Sequence, residues 1–238
     1  MNLRWAQAVA LRGATAHSVR WQPLVGSCLV VGALMAWQDA ALDRPGRAQA
    51  VLRCAAILLA AGVVGVTDDA AAVSVAASPT PLWWRRLLRY AVAAAFALPT
   101  WVAVVGRGVE RRPGLAWPRL TLELAALVVL GLAAAAVAAR RSDAADPGLA
   151  GAVSVLGFAM LVVYLPPRLA LFTSPDAAGW QPSTLRWTVT LLAASAVLLA
   201  ATRDPAARTR WRVLRAAWSR GRRAEVPVRE VPVRNVDQ

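Results

Sequence analysis

Apolar residues along this chain come in long blocks, and charged residues gather between the blocks instead of alternating with them. About six such blocks approach or reach the length of a membrane span, at roughly 24–37, 48–66, 87–105, 120–139, 149–165 and 185–202. A helix needs about 20 apolar residues, with a usual range of about 17–25, to cross the hydrocarbon core of a bilayer. The first block is short by that measure. It becomes adequate when Trp21 and Trp37 sit at opposite interfaces, about 24 Å apart along a helix. The pattern predicts an all-α integral membrane protein with about six transmembrane helices.

Tryptophan placement tests this map, because the indole ring prefers the membrane–water boundary. Trp21, Trp83 and Trp84 fall at block starts, Trp37 and Trp101 near block ends, and Trp117 and Trp187 flank the fourth and sixth blocks. Small residues at Gly62, Gly65 and 131–136 give smooth faces on which helices can approach closely. Pro99 lies inside the third block and predicts a kink there. Between blocks, 140–148 reads as a short turn and 106–118 as a loop rich in Gly, Pro and Arg. The stretch 166–183 opens with Pro166-Pro167 and is too broken to span. Either it is an ordinary loop, or it lies at the interface or dips partly into the membrane.

Composition agrees with lipid as the solvent. Hydrophobic residues make up 58% of the 238 and charged residues 17%, against about 25% charged in ordinary soluble domains. The net charge is +14 and every basic residue is Arg. A basic excess can serve nucleic acid or a membrane surface. Here the arginines flank apolar blocks, so the bilayer is the partner expected, not nucleic acid. They divide roughly two to one in favour of the side that holds both termini, which predicts both termini cytoplasmic. The bias towards Ala, Arg, Val, Gly and Pro matches a GC-rich bacterial genome, and hence a bacterial plasma membrane.

Four regions follow: a basic lead-in over 1–22, a transmembrane domain over 23–202, an interfacial helix over 203–222 and a disordered tail over 223–238. Asp204-Pro205 starts the interfacial helix as an N-cap followed by Pro at the first helical position. Ala207, Trp211, Leu214 and Trp218 then share one face, beside Arg208, Arg212 and Arg215, as suits an anionic leaflet. The tail repeats a Glu-Val-Pro-Val-Arg pentad, which favours extended chain.

Complete catalytic constellations do not emerge. The absence of Lys excludes a P-loop and Schiff-base catalysis. Two cysteines, Cys28 and Cys54, and one histidine, His17, make no convincing metal site. The cysteines read as small apolar packing residues, although neighbouring first and second spans could bring them together. Asp68-Asp69 resembles the acidic motifs that hold Mg²⁺ in membrane transferases, but further carboxylates are missing from the next forty residues. No catalytic residue, cofactor or metal is therefore expected. Arg53 and Arg89 sit near span ends, where snorkelling explains them. Arg119 and Glu123 form a candidate intramembrane polar pair at i,i+4 spacing: a bland interfacial ion pair, or a polar group lining a cavity.

The segment 68–86 is the most informative. Asp68 or Asp69 caps a short helix over 70–77, which includes Val73 and Ala76. Pro79 and Pro81 stop it, and Trp83-Trp84-Arg85-Arg86 anchors the next span. A small, nearly uncharged helix on the cytoplasmic side suits docking in another protein's groove.

With this segment, the basic lead-in, six spans with termini inside, and the broken segment after the fifth span, the chain resembles the membrane (permease) subunit of an export-class ATP-binding-cassette (ABC) transporter of actinobacterial type. The Asp-Asp…Ala-Ala-Ser-Pro-Thr-Pro…Arg-Arg stretch carries the resemblance most specifically. It implies that two permease chains, identical or similar, form the pathway and that a separate ABC ATPase subunit hydrolyses ATP. It further implies that Asp68, Asp69, Val73, Ala76, Pro79, Pro81, Arg85 and Arg86 form the coupling region. The alternative is a non-catalytic multi-pass membrane scaffold or assembly factor. An adjacent reading frame with a Walker motif would discriminate between them.

Overall fold

The computed structural model describes residues 21–37, 45–67, 82–111, 114–141, 146–173 and 180–202. All of the described helices belong to one compact unit, Met1–Thr202. They are α1 (Gln22–Trp37), α2 (Pro45–Gly65), α3 (Leu82–Arg111), α4 (Trp117–Arg141), α5 (Pro147–Val163) and α6 (Trp180–Thr202), with a 3₁₀ turn, η1, at Pro167–Leu169. The described residues contain no strand. The lead-in to residue 20, the segment 68–81 and everything beyond 202 lie outside the described residues, as do the expectations made for them.

Each apolar block becomes one helix, and the helix ends obey local chemistry. Pro23 and Pro147 occupy first turns, where the missing amide has no intrahelical partner to lose. α3 runs on to Arg111, past the apolar block, so much of the loop expected at 106–118 is helical. Arg107, Glu110 and Arg111 are adequate helix formers, and Pro113-Gly114 supplies the stop. α6 likewise begins at Trp180, earlier than the apolar block, because Pro182 falls in its first turn, where proline is tolerated. α3 is continuous through Pro99; the Thr100 hydroxyl donates to the Phe96 carbonyl at 3.0 Å beside it.

Four helices, α2, α3, α4 and α6, are long and apolar enough to cross a membrane, whereas α1 and α5 are shorter apolar helices. At 16 and 17 residues these two extend about 24–26 Å, a little less than a hydrocarbon core of about 30 Å. Large apolar side chains cover the outside: Leu29, Val102, Met160 and Leu192 are all more than 60% exposed. Water does not tolerate a continuous apolar exterior of this kind, whereas lipid does.

The helices alternate in direction, as their contacts reveal. The first half of α2 and the starts of α4 and α6 meet one another and the segment after α5 through side-chain hydrogen bonds. Gly108 near the end of α3 lies against Leu52 of α2 at the same level. At the opposite end, Gly62 and Gly65 of α2 abut Ser27 and Pro23 of α1. There Gly131 of α4, Gly151 of α5 and Val64 of α2 also converge: a Cβ on Gly131 would lie 2.6 Å from both Val155 Cγ2 and Val64 Cγ2. The small residues are thus required by close helix approach. α2 is the most enclosed long helix and packs against α1, α3, α4 and α5; α6 packs chiefly on α4.

Two tryptophans expected at the interface face inward instead. Trp101 is 3% exposed and its indole donates to Thr121 at 3.1 Å. Trp187 is fully buried beside Phe158 and Phe172. Both find a hydrogen-bond acceptor inside the bundle, which removes the cost that otherwise holds indoles at the water boundary. Trp37 and Trp117 do remain exposed at helix ends.

Candidate functional site

Among the described residues, a buried cluster of charged side chains sits beside the starts of α4 and α6 and the first half of α2. Arg119 lies in the first turn of α4 and Glu123 one turn later, so both project from the same face. The Arg119 Nε donates to Glu123 Oε1 at 3.2 Å. From α2, Arg53 grips the same carboxylate with two prongs, Nε to Oε2 at 2.9 Å and Nη2 to Oε1 at 3.1 Å. The Glu123 side chain is 1% exposed, and those of Arg119 and Arg53 are 4% and 13%. The expected pair is therefore two members of an Arg53–Glu123–Arg119 triad. Arg53 does not snorkel: it turns inward because an anionic partner waits there. Arg89 is also buried and not run out along the surface.

Both arginines continue from the carboxylate to the segment that follows α5. Arg53 Nη2 donates to the Thr173 carbonyl at 2.7 Å, and its guanidinium lies 5.0 Å from the Phe172 ring centroid. Arg119 Nη2 donates to the Leu171 carbonyl at 3.1 Å, to the Thr173 hydroxyl at 3.0 Å and to the Ser183 hydroxyl at 2.6 Å. Its Nη1 reaches the Trp180 carbonyl and the Thr184 hydroxyl, and its guanidinium stacks 3.7 Å from the Trp180 ring centroid. A third arginine, Arg186 of α6, donates to the carbonyls of Ala170 and Arg168 at 2.9 and 2.6 Å.

The Leu171 carbonyl is the focus: Arg119, the Ser183 hydroxyl and the Trp187 indole all donate to it. Irregular backbone buried in a membrane protein must have its polar groups satisfied by the protein itself. Here arginines, a hydroxyl and an indole do so. Phe172 packs at 5.6 Å from Trp187 and Leu171 is buried, so the segment folds inward onto the bundle.

The electrostatics are unusual. Two guanidiniums meet one carboxylate, and the positive N-terminal poles of α4 and α6 lie beside Arg119. Glu123 and the carbonyl dipoles of 168–173 offset this excess. Removing one partner of such a buried pair typically costs about 3–5 kcal/mol, because the other charge is stranded. Chemically the cluster fastens. It pairs no nucleophile with a base, and the described residues hold no group of three or more His, Cys, Asp or Glu that could bind a metal.

Of the residues singled out from sequence, Arg119 and Glu123 are thus brought together. Asp68, Asp69, Val73, Ala76, Pro79 and Pro81 lie outside the described residues. Arg85 and Arg86 fall in the opening turns of α3. Cys28 and Cys54 are both free, and the Thr100 hydroxyl donates to Cys28 Sγ at 3.5 Å. Sequence reasoning missed Ser183, Arg186 and Trp187 as site residues. The available signal was Arg186 inside an apolar block, since ionisable residues there require a partner.

Fold and site together define an α-helical protein with the character of a multi-pass membrane protein, carrying a buried arginine–glutamate clasp at one end of its bundle. No protein-family model, curated protein or solved structure matches the chain.

Proposed function

We propose that this chain is the permease subunit of an ABC exporter in a bacterial plasma membrane, working as a homodimer or with a similar chain. ATP hydrolysis belongs to a separate subunit that docks on the segment between α2 and α3. The reading rests on the sequence of 68–86 and on one structural observation. The linkers after α2 and after α5 belong to opposite ends of the bundle: α2 finishes, and α1 starts, at the end away from the clasp. A coupling segment needs to share an end with the cytoplasmic termini, and an inward-folded segment at the other end suits an outer closure. A membrane scaffold is the second reading, favoured by the tight crossing of Gly131 and Gly151, which suits a static bundle.

The test is the coupling segment itself. Val73→Arg and Ala76→Arg should abolish copurification of an ATPase subunit and substrate-stimulated ATP hydrolysis while membrane insertion survives, since an unpaired buried charge costs several kcal/mol. Asp68→Ala should act more mildly, by about 1 kcal/mol for a lost cap. Full retention of both activities in both arginine variants would remove the permease reading.

A further inference from the structure

We propose that residues 166–173 form a strap latched from a distance by Glu123, and that its 171–173 end loosens when this carboxylate no longer holds Arg53 and Arg119 together. The inference is independent of any transport role.

The strap has little to hold it in place by itself. Its regular structure is the single 3₁₀ turn Pro167–Leu169, with Leu169 N–H donating to the Pro166 carbonyl at 2.8 Å. Pro166, Arg168 and Leu169 are exposed, and Leu171 is turned in. What fixes it is a row of its backbone carbonyls, gripped by side chains from α2, α4 and α6.

Two of those gripping groups depend on Glu123. The Arg53 Nη2 and the Arg119 Nε share Glu123 Oε1, at 3.1 and 3.2 Å. Like charges so close in a buried setting repel strongly unless an anion lies between them. The N-terminal poles of α4 and α6, beside Arg119, further disfavour the uncompensated positive charge. Take the carboxylate away and the guanidiniums must separate, and each carries its strap carbonyl with it. Arg186 still holds the carbonyls of Arg168 and Ala170, and Ser183 and Trp187 still donate to Leu171, so the response is a local loosening at 171–173 and not a loss of the bundle.

The experiment uses the full chain in lipid nanodiscs, with Cys28→Ala and Cys54→Ala. One reporter, Leu171→Cys, sits in the strap. The other, Ala135→Cys, is also buried but lies in the far half of α4. Labelling by N-ethylmaleimide is timed with Glu123 intact, with Glu123→Asp and with Glu123→Gln. The strap reporter should label at least about tenfold faster with Gln, and much less so with the charge-retaining Asp, while the Ala135 position stays slow. Arg53→Gln leaves the neutral Arg119–Glu123 pair and should give an intermediate rate. If the Gln variant is not recovered, Glu123→Asp decides the matter, since its shorter carboxylate should give a smaller acceleration at the strap reporter only. Unchanged strap labelling in the variants overturns the latch, as does equal acceleration at both reporters, which would mean general loosening.

Discussion

Arg53 on α2 and Glu123 on α4, 70 residues apart in the chain, meet in a two-pronged ion pair with N–O distances of 2.9 and 3.1 Å. The contact joins the first halves of two parallel helices. Through Arg119 it also joins them to α6 and to the segment after α5.

The triad is asymmetric, so its single variants should differ. Glu123→Gln strands two buried cations and should destabilise by about 3–5 kcal/mol. Arg53→Gln leaves a balanced pair and loses hydrogen bonds only, about 1–3 kcal/mol. Thermal unfolding of both variants in one detergent would measure the order. Equal losses would mean that Glu123 is not the central charge.

Glycines should sort by what surrounds them. A Cβ at Gly151 would come within 2.6 Å of the Gly131 carbonyl oxygen, while one at Gly157 on the same helix meets nothing within 4 Å. Gly151→Ala should therefore cost about 1–3 kcal/mol through overpacking. Gly157→Ala should be neutral or stabilise by up to about 1 kcal/mol through helix propensity. Melting temperatures of the two variants side by side give the answer.

The arginine distribution predicts both termini inside, and labelling can check it. Single cysteines replacing Asp43, Arg112 or Pro175 should react with an impermeant reagent from outside intact cells, in a background lacking Cys28 and Cys54. Those replacing Asp69, Asp143 or Gln238 should not. External reaction at position 143 would invert the assignment.

The permease reading also predicts an assembly of two such chains. Native mass spectrometry from nanodiscs should return a dimer, or a pair with a similar subunit. A clean monomer that still transports would exclude it.

The boundaries of the helices were largely legible in the sequence. Bilayer thickness fixes how long an apolar run must be, and Pro, Gly and charge mark where it stops, both of which are local properties. The 120–139 block became Trp117–Arg141, and 149–165 became Pro147–Val163. The inward side of each helix was not legible. In water a polar face shows which side is buried, but a membrane helix is apolar all round, and its sequence does not distinguish lipid from neighbour. Hence Trp101 and Trp187 read as interfacial residues and Arg53 as a snorkelling one, whereas all three turn inward. Only the tertiary structure could decide this, because the groups that satisfy them arrive from elsewhere in the chain: Thr121 for Trp101, the Leu171 carbonyl for Trp187, and Glu123 for Arg53.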